Sequence, residues 1–403
     1  MRLVFITIGR FFRAKDGEYY GMHGGYPISL WTRYLAHFDE VVIAARACDD
    51  FSREQVSDLR IPREKGVHMF PLAYWNGPRQ FLTAFPRFFR DVRRCIEQFQ
   101  GPDTIFLCRV PSENGAYASS LLRRKGIPYG VEVVGDPWDV FASGSIKHWA
   151  RPLFRILGYL KLRKSVRNAS AAIYVTRRSL QRRYPPRTGA LSAGVSDVQL
   201  SSGFRAVAAA RRPFSGERTL RLVCVGTLET YYKAPDVVLR ALAELKKRGE
   251  IRFELHWCGA GNLIGECRQL AVQLGLGEDV VFLGALPREL VLKELAAADL
   301  FVMVSRQEGL PRAMVEAMAT GLPCIGSTAG GIPELLDTSA VVPVNDHMAL
   351  ANKVAEFAKN PNEMARQSKI NLQTAEDFYP KKLEAERKRF FDALKDAAKK
   401  GSR

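Results

Sequence analysis

Short apolar runs rich in Val, Ile, Leu and Phe recur along this chain, and each is followed by a stretch with helical spacing. That alternation is the pattern of parallel sheets joined by crossover helices, an α/β fold. In the first half the runs predict strands at Leu3–Ile8, Val41–Ala45, Val67–Phe70, Thr104–Cys108, Tyr129–Val134 and Ala172–Val175. In the second half they predict strands at Arg221–Val225, Arg252–Trp257, Val280–Leu283, Leu300–Val304, Pro323–Gly326 and Val341–Val344. Between the two sets lies SDVQLSSGFRAVAAARRPFSGER, a polar segment of small residues without clear periodicity, read as a linker over Ser196–Arg218. At 403 residues the chain is too long for one ordinary core. It divides into a Rossmann-like domain at 1–195, the linker at 196–218 and a second Rossmann-like domain at 219–377. The two sheets would face a cleft, with ligands beyond the carboxyl ends of their strands. The last stretch, FYPKKLEAERKRFFDALKDAAKK, predicts one charged helix over 378–397. Pro380 falls in its first turn, and Leu383, Phe390 and Leu394 form its apolar stripe.

The formal net charge of +18 favours anionic partners: nucleic acid, an anionic membrane face or phosphorylated small molecules. Seven cysteines without CxxC spacing read as reduced thiols in a reducing compartment rather than as a disulfide framework or a zinc site. The opening MRLVFITIGR reads as a buried first strand, being too short in its apolar run for a signal sequence. No apolar run is long enough to span a bilayer, so a cytoplasmic protein with at most peripheral membrane contact is expected.

The chemistry concentrates in SRQEGLPRAMVEAMATGLPCIGSTAGGIPELL, residues 305–336. A strand, LFVMV, feeds a turn holding Glu308 and Gly309, and Pro311 suits the start of a helix that Gly321 and Pro323 stop. Such a helix start presents unpaired N–H groups and partial positive charge, ready to hold phosphate. Glu316 sits on the same helix among apolar neighbours, where a carboxylate needs a partner such as ribose hydroxyls. Taken alone, Glu308 reads better as a turn cap and Glu316 as half of an ion pair; the segment as a whole reads as a nucleotide-sugar cradle.

This segment resembles the donor-binding signature of glycosyltransferase family 4, two glutamates eight positions apart within S-R-x-E-G-x-P-x-x-x-x-E-A-M-A-x-G-x-P, followed by G-G-x-P-E. The match runs through Ser305, Arg306, Glu308, Gly309, Pro311, Glu316, Ala317, Met318, Ala319, Gly321, Pro323, Gly330, Gly331, Pro333 and Glu334. The resemblance extends over the second half and more weakly across the first. It implies the GT-B fold, retention at the anomeric carbon, and a nucleotide-diphosphate sugar as donor. Glu308 would then hold sugar hydroxyls and stabilise positive charge at the ring, with Gly309, Leu310, Pro311 and Arg306 around the donor. It also implies a C-terminal helix that crosses back onto the first domain.

Three further segments fit the same resemblance. In LVCVGTLETYYKAPDVVLRALAEL, Lys233 falls where the family places a lysine against the donor diphosphate. An ammonium there would neutralise charge growing on the departing phosphate. Thr227 stands where many members carry arginine, and Ala234 where many carry glycine, which leaves the second phosphate cation open between Arg306 and a first-domain arginine. Gly259-x-Gly261 resembles a turn beside the donor base, although glycines there serve backbone shape equally well. Gly24 and Gly25 follow strand one, where the family has a loop facing the donor phosphates, and glycine admits close approach of N–H groups to an anion. Val134 replaces the histidine many members carry, so no catalytic histidine is expected. Arg109 and Asp136, each at a strand end, are candidates for acceptor contacts or for structural ion pairs. No D-x-D pair is present, so no metal and no cofactor beyond the donor substrate is expected.

Two segments combine cations with apolar groups. PRQFLTAFPRFFRDVRRC sets Phe81, Phe85, Phe88 and Val92 at helical spacing among arginines. KHWARPLFRILGYLKLRKSVRN carries seven cations and no acid. Either reads as a helix on an anionic membrane or as a core helix whose cations reach outward; the second favours the membrane. Nucleic acid is not expected, because no RNA or DNA module is present and the aromatics follow helix faces. The expected activity is transfer of a sugar to a lipid-linked or growing polysaccharide intermediate at the inner face of the membrane. A GT-B epimerase, a phosphorylase or an inactive membrane-binding scaffold are the rivals.

Overall fold

In a computed structural model, residues 1–22, 26–55, 57–141 and 149–401 are described. The first sheet is built from β1 (Arg2–Arg13), β2 (Tyr19–Gly21), β3 (Glu40–Asp49), β4 (Val67–Leu72), β5 (Thr104–Val110), β6 (Tyr129–Val133), β7 (Ala171–Tyr174) and β8 (Leu191–Gly194). Its parallel strands lie in the order β4-β3-β1-β5-β6-β7-β8, and β2 folds back antiparallel on the end of β1. The second sheet uses β9 (Leu220–Val225), β10 (Phe253–Cys258), β11 (Val280–Gly284), β12 (Leu300–Met303), β13 (Cys324–Ser327) and β14 (Val341–Val342). Its order is β11-β10-β9-β12-β13-β14. Both sheets therefore run outward from their first strand, then return to its other side. The reversal falls between β1 and β5 in one sheet and between β9 and β12 in the other, and such switch points open a crevice at the carboxyl ends of the strands.

The strands lie where the apolar runs place them, because a strand covered by helices on both faces must be apolar throughout. Val41 to Ala45 and Ile105 to Cys108 are all buried. Two strands escaped the sequence. Tyr19–Gly21 is too short to show alternation, and Leu191–Gly194 is an edge strand whose outer residues are exposed. The segment read as a linker is partly ordered: Ser202–Ala210 is a helix, and Val198, Leu200 and Phe204 are buried. All seven cysteines are free. Among the described residues, no helix is long and apolar enough to cross a membrane.

The terminal helix Pro380–Gly401 buries Leu383, Phe390, Phe391 and Leu394. It lies on the first sheet: the Phe391 ring meets Tyr34 and Phe38 at 5.9 and 5.1 Å, and a Cβ on Gly130 would come within 2.7 Å of Leu394. A second link joins the two halves. The Glu334 carboxylate accepts from the backbone N–H groups of Arg177, Arg178 and Ser179, at the start of the helix Ser179–Arg183.

Candidate active site

The loop leaving β9 and the loop leaving β12 meet at the switch point of the second sheet. From the first comes Lys233, whose Nζ donates to Glu308 Oε1 at 2.5 Å. Both side chains are mostly enclosed, with relative exposures of 11% and 10%. The ammonium also lies 5.1 Å from the centre of the Tyr232 ring. One hydrogen bond to Glu308 leaves two of the three ammonium protons for other acceptors.

Glycines bring these loops together. A Cβ on Gly226 would meet the Lys233 side chain at 2.9 Å. Gly330, at φ +52°, lies so close to Glu308 that a Cβ would fall 1.9 Å from its carbonyl oxygen. The next residue, Gly331, donates its N–H to the Gly309 carbonyl at 2.7 Å. The G-G-x-P-E loop is thus the backing that fixes Glu308, and Gly309 in turn packs against the carbonyl of Val134 in the first domain, 2.7 Å from where its Cβ would be.

The helix Arg312–Ala319 starts directly after this turn, with Pro311 as its cap, so it begins one residue later than the sequence suggested. Glu316, one turn in, has a carboxyl group that burial pushes up from the ordinary range, against the pull of Arg288 and Arg312. Its one ion pair is a long contact of 3.5 Å with Arg288. A carboxylate so placed keeps acceptor capacity for hydroxyl groups. Arg312 is exposed at the first position of the helix and lines the same cavity as Glu308. This cation was missed from the sequence because it occupies a position the signature leaves open. Gln307 was missed as well: its Oε1 is buried with no hydrogen-bond partner among the described residues.

Other predicted residues sit elsewhere or have other tasks. Arg306 is drawn away from the cleft. Its guanidinium donates to Asn345 Oδ1 at 2.7 Å, to the Tyr231 carbonyl at 2.6 Å and to both oxygens of Asp236 at 2.8 and 2.7 Å. It braces the loop that carries Lys233, with four hydrogen bonds committed to Asn345, Tyr231 and Asp236. Thr227 donates its hydroxyl to the Ala260 carbonyl at 3.0 Å, which ties two loops together. Gly259 and Gly261, at φ +156° and +155°, press on the backbone of Gly226 and Leu228, where any Cβ would clash at 1.9 and 2.2 Å. Their visible work is this close crossing. Leu310 is buried at the cleft wall. Gly24 and Gly25 lie outside the described residues.

On the facing wall, Arg109 donates to Glu132 at 3.2 Å and to Asp197 at 2.7 Å, and Arg33 approaches Asp197 at 3.5 Å. Burial pushes the Glu132 carboxyl up; burial pushes Asp197 up too, but Arg109 and Arg33 hold it below the usual range. Asp136 is consumed by structure. It caps the short helix Pro137–Val140 through the Trp138 N–H, accepts from Tyr184 Oη at 2.5 Å and pairs with Arg183, so acceptor contact by this carboxylate is corrected to a structural role. Pro27, Arg33, Arg109, Glu308, Leu310 and Arg312 together enclose a cavity of about 310 Å³ between the domains.

With this geometry in hand, comparison with known proteins is informative. Residues 219–360 match the sequence model of the family described as "Glycosyl transferases group 1". HepE from Anabaena, solved with UDP and glucose, aligns over 98% of this chain and 99% of its own at a TM-score of 0.63 and 16% identity. The fold is GT-B. Protein CapJ of Staphylococcus aureus is 28% identical over 333 residues, 82% of this chain and 80% of that protein. The amylovoran biosynthesis glycosyltransferase AmsK of Erwinia amylovora is 34% identical over 141 residues, covering 33% of this chain and 34% of that protein. The stretch that matches the family model contains Lys233, Glu308 and Glu316, which line one side of the GT-B cleft.

Proposed function

We propose that the chain is a retaining glycosyltransferase of polysaccharide biosynthesis, moving a hexose from a nucleotide-diphosphate donor to a lipid-linked or growing saccharide. The reading divides it into an acceptor domain at 1–195, a connector at 196–218 and a donor domain at 219–377, with the terminal helix returning to the acceptor domain. The observation that carries it is the enclosed Lys233–Glu308 pair at the mouth of the helix Arg312–Ala319, one turn from the under-partnered Glu316. The names of AmsK and HepE's bound UDP and glucose support the same reading.

In this reading the diphosphate lies against the N–H groups of Gly309 and Leu310 and the partial positive charge of the helix end. Lys233 swings its free protons to the departing phosphate, and Arg312 supplies the second cation. These charges serve the leaving group in place of a metal ion. Glu308, released from part of its bond with Lys233, holds sugar hydroxyls and offsets positive charge at the anomeric carbon. The acceptor hydroxyl attacks on the face the phosphate leaves, and a phosphate oxygen takes its proton, so configuration is retained. Glu316 receives the ribose hydroxyls. The exposed basic and apolar face of the helix Arg151–Arg167 supports attachment to the inner, anionic face of the cell membrane.

The test is incubation of the purified protein with UDP-hexoses and a lipid extract, followed by product analysis. A glycosylated lipid with the anomeric configuration of the donor, and none from Glu308→Ala, supports the proposal. Release of free sugar phosphate, or epimerised donor with no transfer, refutes it.

A further inference from the structure

The switch point of the first sheet carries its own crevice, separate from the cavity around Glu308. Between β1 and β5 a cavity of about 360 Å³ opens beneath the helix Arg151–Arg167, walled by Ile8, Val110, Pro111, Val140 and Leu162. Its walls are far more apolar than those of the interdomain cavity, which is lined by Arg33, Arg109, Asp197, Glu308 and Arg312. It shares Glu113, Ala116, Lys161 and Ser165 with a second cavity of about 420 Å³. At that junction Glu113 and Lys161 pair with each other, so the charge there cancels. The second cavity is walled by Phe81, Phe85, Phe88 and Phe89 of the helix Gly77–Phe99. On the outer surface of the same two helices, Leu82 is 72% exposed, and Leu153, Ile156, Leu157 and Leu160 are each more than half exposed. The two cavities thus adjoin across one shared wall, between an exposed apolar surface and the carboxyl ends of β1 and β5.

A cation backs the inner wall of the first of these cavities, behind Ile8 and Trp75. The buried Arg46 guanidinium donates to the carbonyl of Ile8 at 2.9 and 2.6 Å and to that of Trp75 at 2.7 Å, and it stacks on the Trp75 ring at 4.1 Å. Ile8 and Trp75 both line the inner cavity. Among the described residues Arg46 has no carboxylate partner, and the strongest charged influence on it is another cation, Arg10, which is held by Asn76 Oδ1 at 3.0 Å. Burial, then Arg10, brings the Arg46 pKa down to about 10. Trp75 Nε1, a donor, is buried with no acceptor among the described residues. A buried cation without a counter-charge beside an orphan donor is an arrangement completed by an anion.

We propose that these adjoining cavities hold the acceptor lipid of the transfer reaction, with the hydrocarbon tail along the phenylalanines and a lipid diphosphate head at the Ile8–Trp75 wall, where Trp75 Nε1 donates to it and Arg46 and Arg10 supply the positive charge behind. The word acceptor rests on the transfer reading above; the lipid-diphosphate site rests on the cavities and the unpaired arginines. A soluble sugar would leave the apolar walls unfilled, and a neutral lipid would leave the arginines without an anion.

The probe is farnesyl diphosphate, titrated below its aggregation threshold by calorimetry with UDP in excess to occupy the donor side. Charge-assisted hydrogen bonds to the head predict binding about tenfold tighter than for farnesol, and the tail predicts a similar advantage over inorganic pyrophosphate. Ala116→Leu, which fills the junction, and Arg46→Gln should each weaken farnesyl diphosphate about tenfold, the second by removing the positive charge behind the head and the first by excluding the tail. Equal binding of farnesol, equal binding of pyrophosphate, or no binding of farnesyl diphosphate by the wild-type protein overturns the proposal without recourse to a variant. The UDP titration stands apart: a protein that binds farnesyl diphosphate but not UDP keeps the lipid site and loses the transfer reading, and the converse loses only the lipid site.

Discussion

The second domain locks the Lys233 ammonium to the Glu308 carboxylate, whereas the first leaves one buried arginine without a carboxylate among the described residues and one helix face uncovered. Around Glu308 the loops cross at glycines whose missing side chains are replaced by backbone, and the one ammonium is locked to the one carboxylate. In the first domain Arg46 lacks a counter-charge among the described residues, and a helix face of leucine and isoleucine is uncovered. A site that must position a diphosphate and a sugar ring for one reaction gains from rigidity. A surface that takes a long flexible molecule gains from open apolar area.

The sharpest way to break this contrast is at Lys233. Because the pair is enclosed, Lys233→Met should lower stability by about 3 kcal/mol by leaving Glu308 uncompensated. Chemical denaturation should also show a smaller loss for the same change in a Glu308→Gln background, where the stranded charge is gone. Equal losses in both backgrounds would mean that the pair is not coupled. Glu308→Gln alone should fold and bind UDP, yet slow transfer by about a hundredfold, as removal of one charge-stabilising group does elsewhere. A rate within twofold of wild type removes Glu308 from the chemistry.

Gly330→Ala against Gly126→Ala tests the packing difference between the domains directly. Both sit at positive φ, but a Cβ on Gly330 strikes the Glu308 carbonyl and one on Gly126 meets nothing within 4 Å. The first should cost about 2 to 3 kcal/mol and the second about 1 kcal/mol, since only backbone strain remains there. Equal melting temperatures would remove the argument for a tightly backed Glu308. On the open side, Leu157→Glu should weaken flotation with anionic vesicles about tenfold at low salt while leaving the UDP titration unchanged. Vesicle binding that ignores both this change and added salt would assign that face another partner.

Glu316 provides the gentlest test. Its carboxyl is raised by burial, so in the folded chain it takes a proton more readily than in the unfolded chain. Its contribution to stability is therefore favourable at pH values below the unfolded pKa and is lost as pH rises through the folded one. Glu316→Gln should accordingly raise the melting temperature of the unliganded protein at neutral pH, with the gain shrinking toward acid pH. It should also weaken UDP severalfold through loss of charge-assisted bonds to ribose. A melting temperature that falls at neutral pH would mean that the Arg288 contact outweighs the burial.

How much of this could be read from the residues follows the same division. The second domain's strands, turn and helix lie within one short segment, so local rules of strand, turn and helix start place Glu308 and Glu316 together. The bracing contacts of Arg306 could not be read from the sequence, because a cation that touches phosphate and one that braces the loop beside it look alike there; Asp236 and Asn345, distant along the chain, supply the bracing partners. Asp197 fell in a segment without periodicity, and its meaning comes from Arg109, far away in sequence but 2.7 Å away in space. Asp136 looked available at a strand end, yet a helix cap, a tyrosine and an arginine all converge on it. The inner cavity of the first domain left no trace in any motif, since its walls come from β1, β5, three helices and the loop with Trp75, and the charge behind it from an arginine within β3.

The central claim is the location of the diphosphate, and a crystal structure with UDP tests it most directly. The account predicts phosphate oxygens within hydrogen-bonding distance of Lys233 Nζ and of the N–H groups of Gly309 or Leu310, with the ribose on Glu316. A diphosphate bound elsewhere, with the Lys233–Glu308 pair intact and the start of the helix Arg312–Ala319 turned from it, would contradict the account.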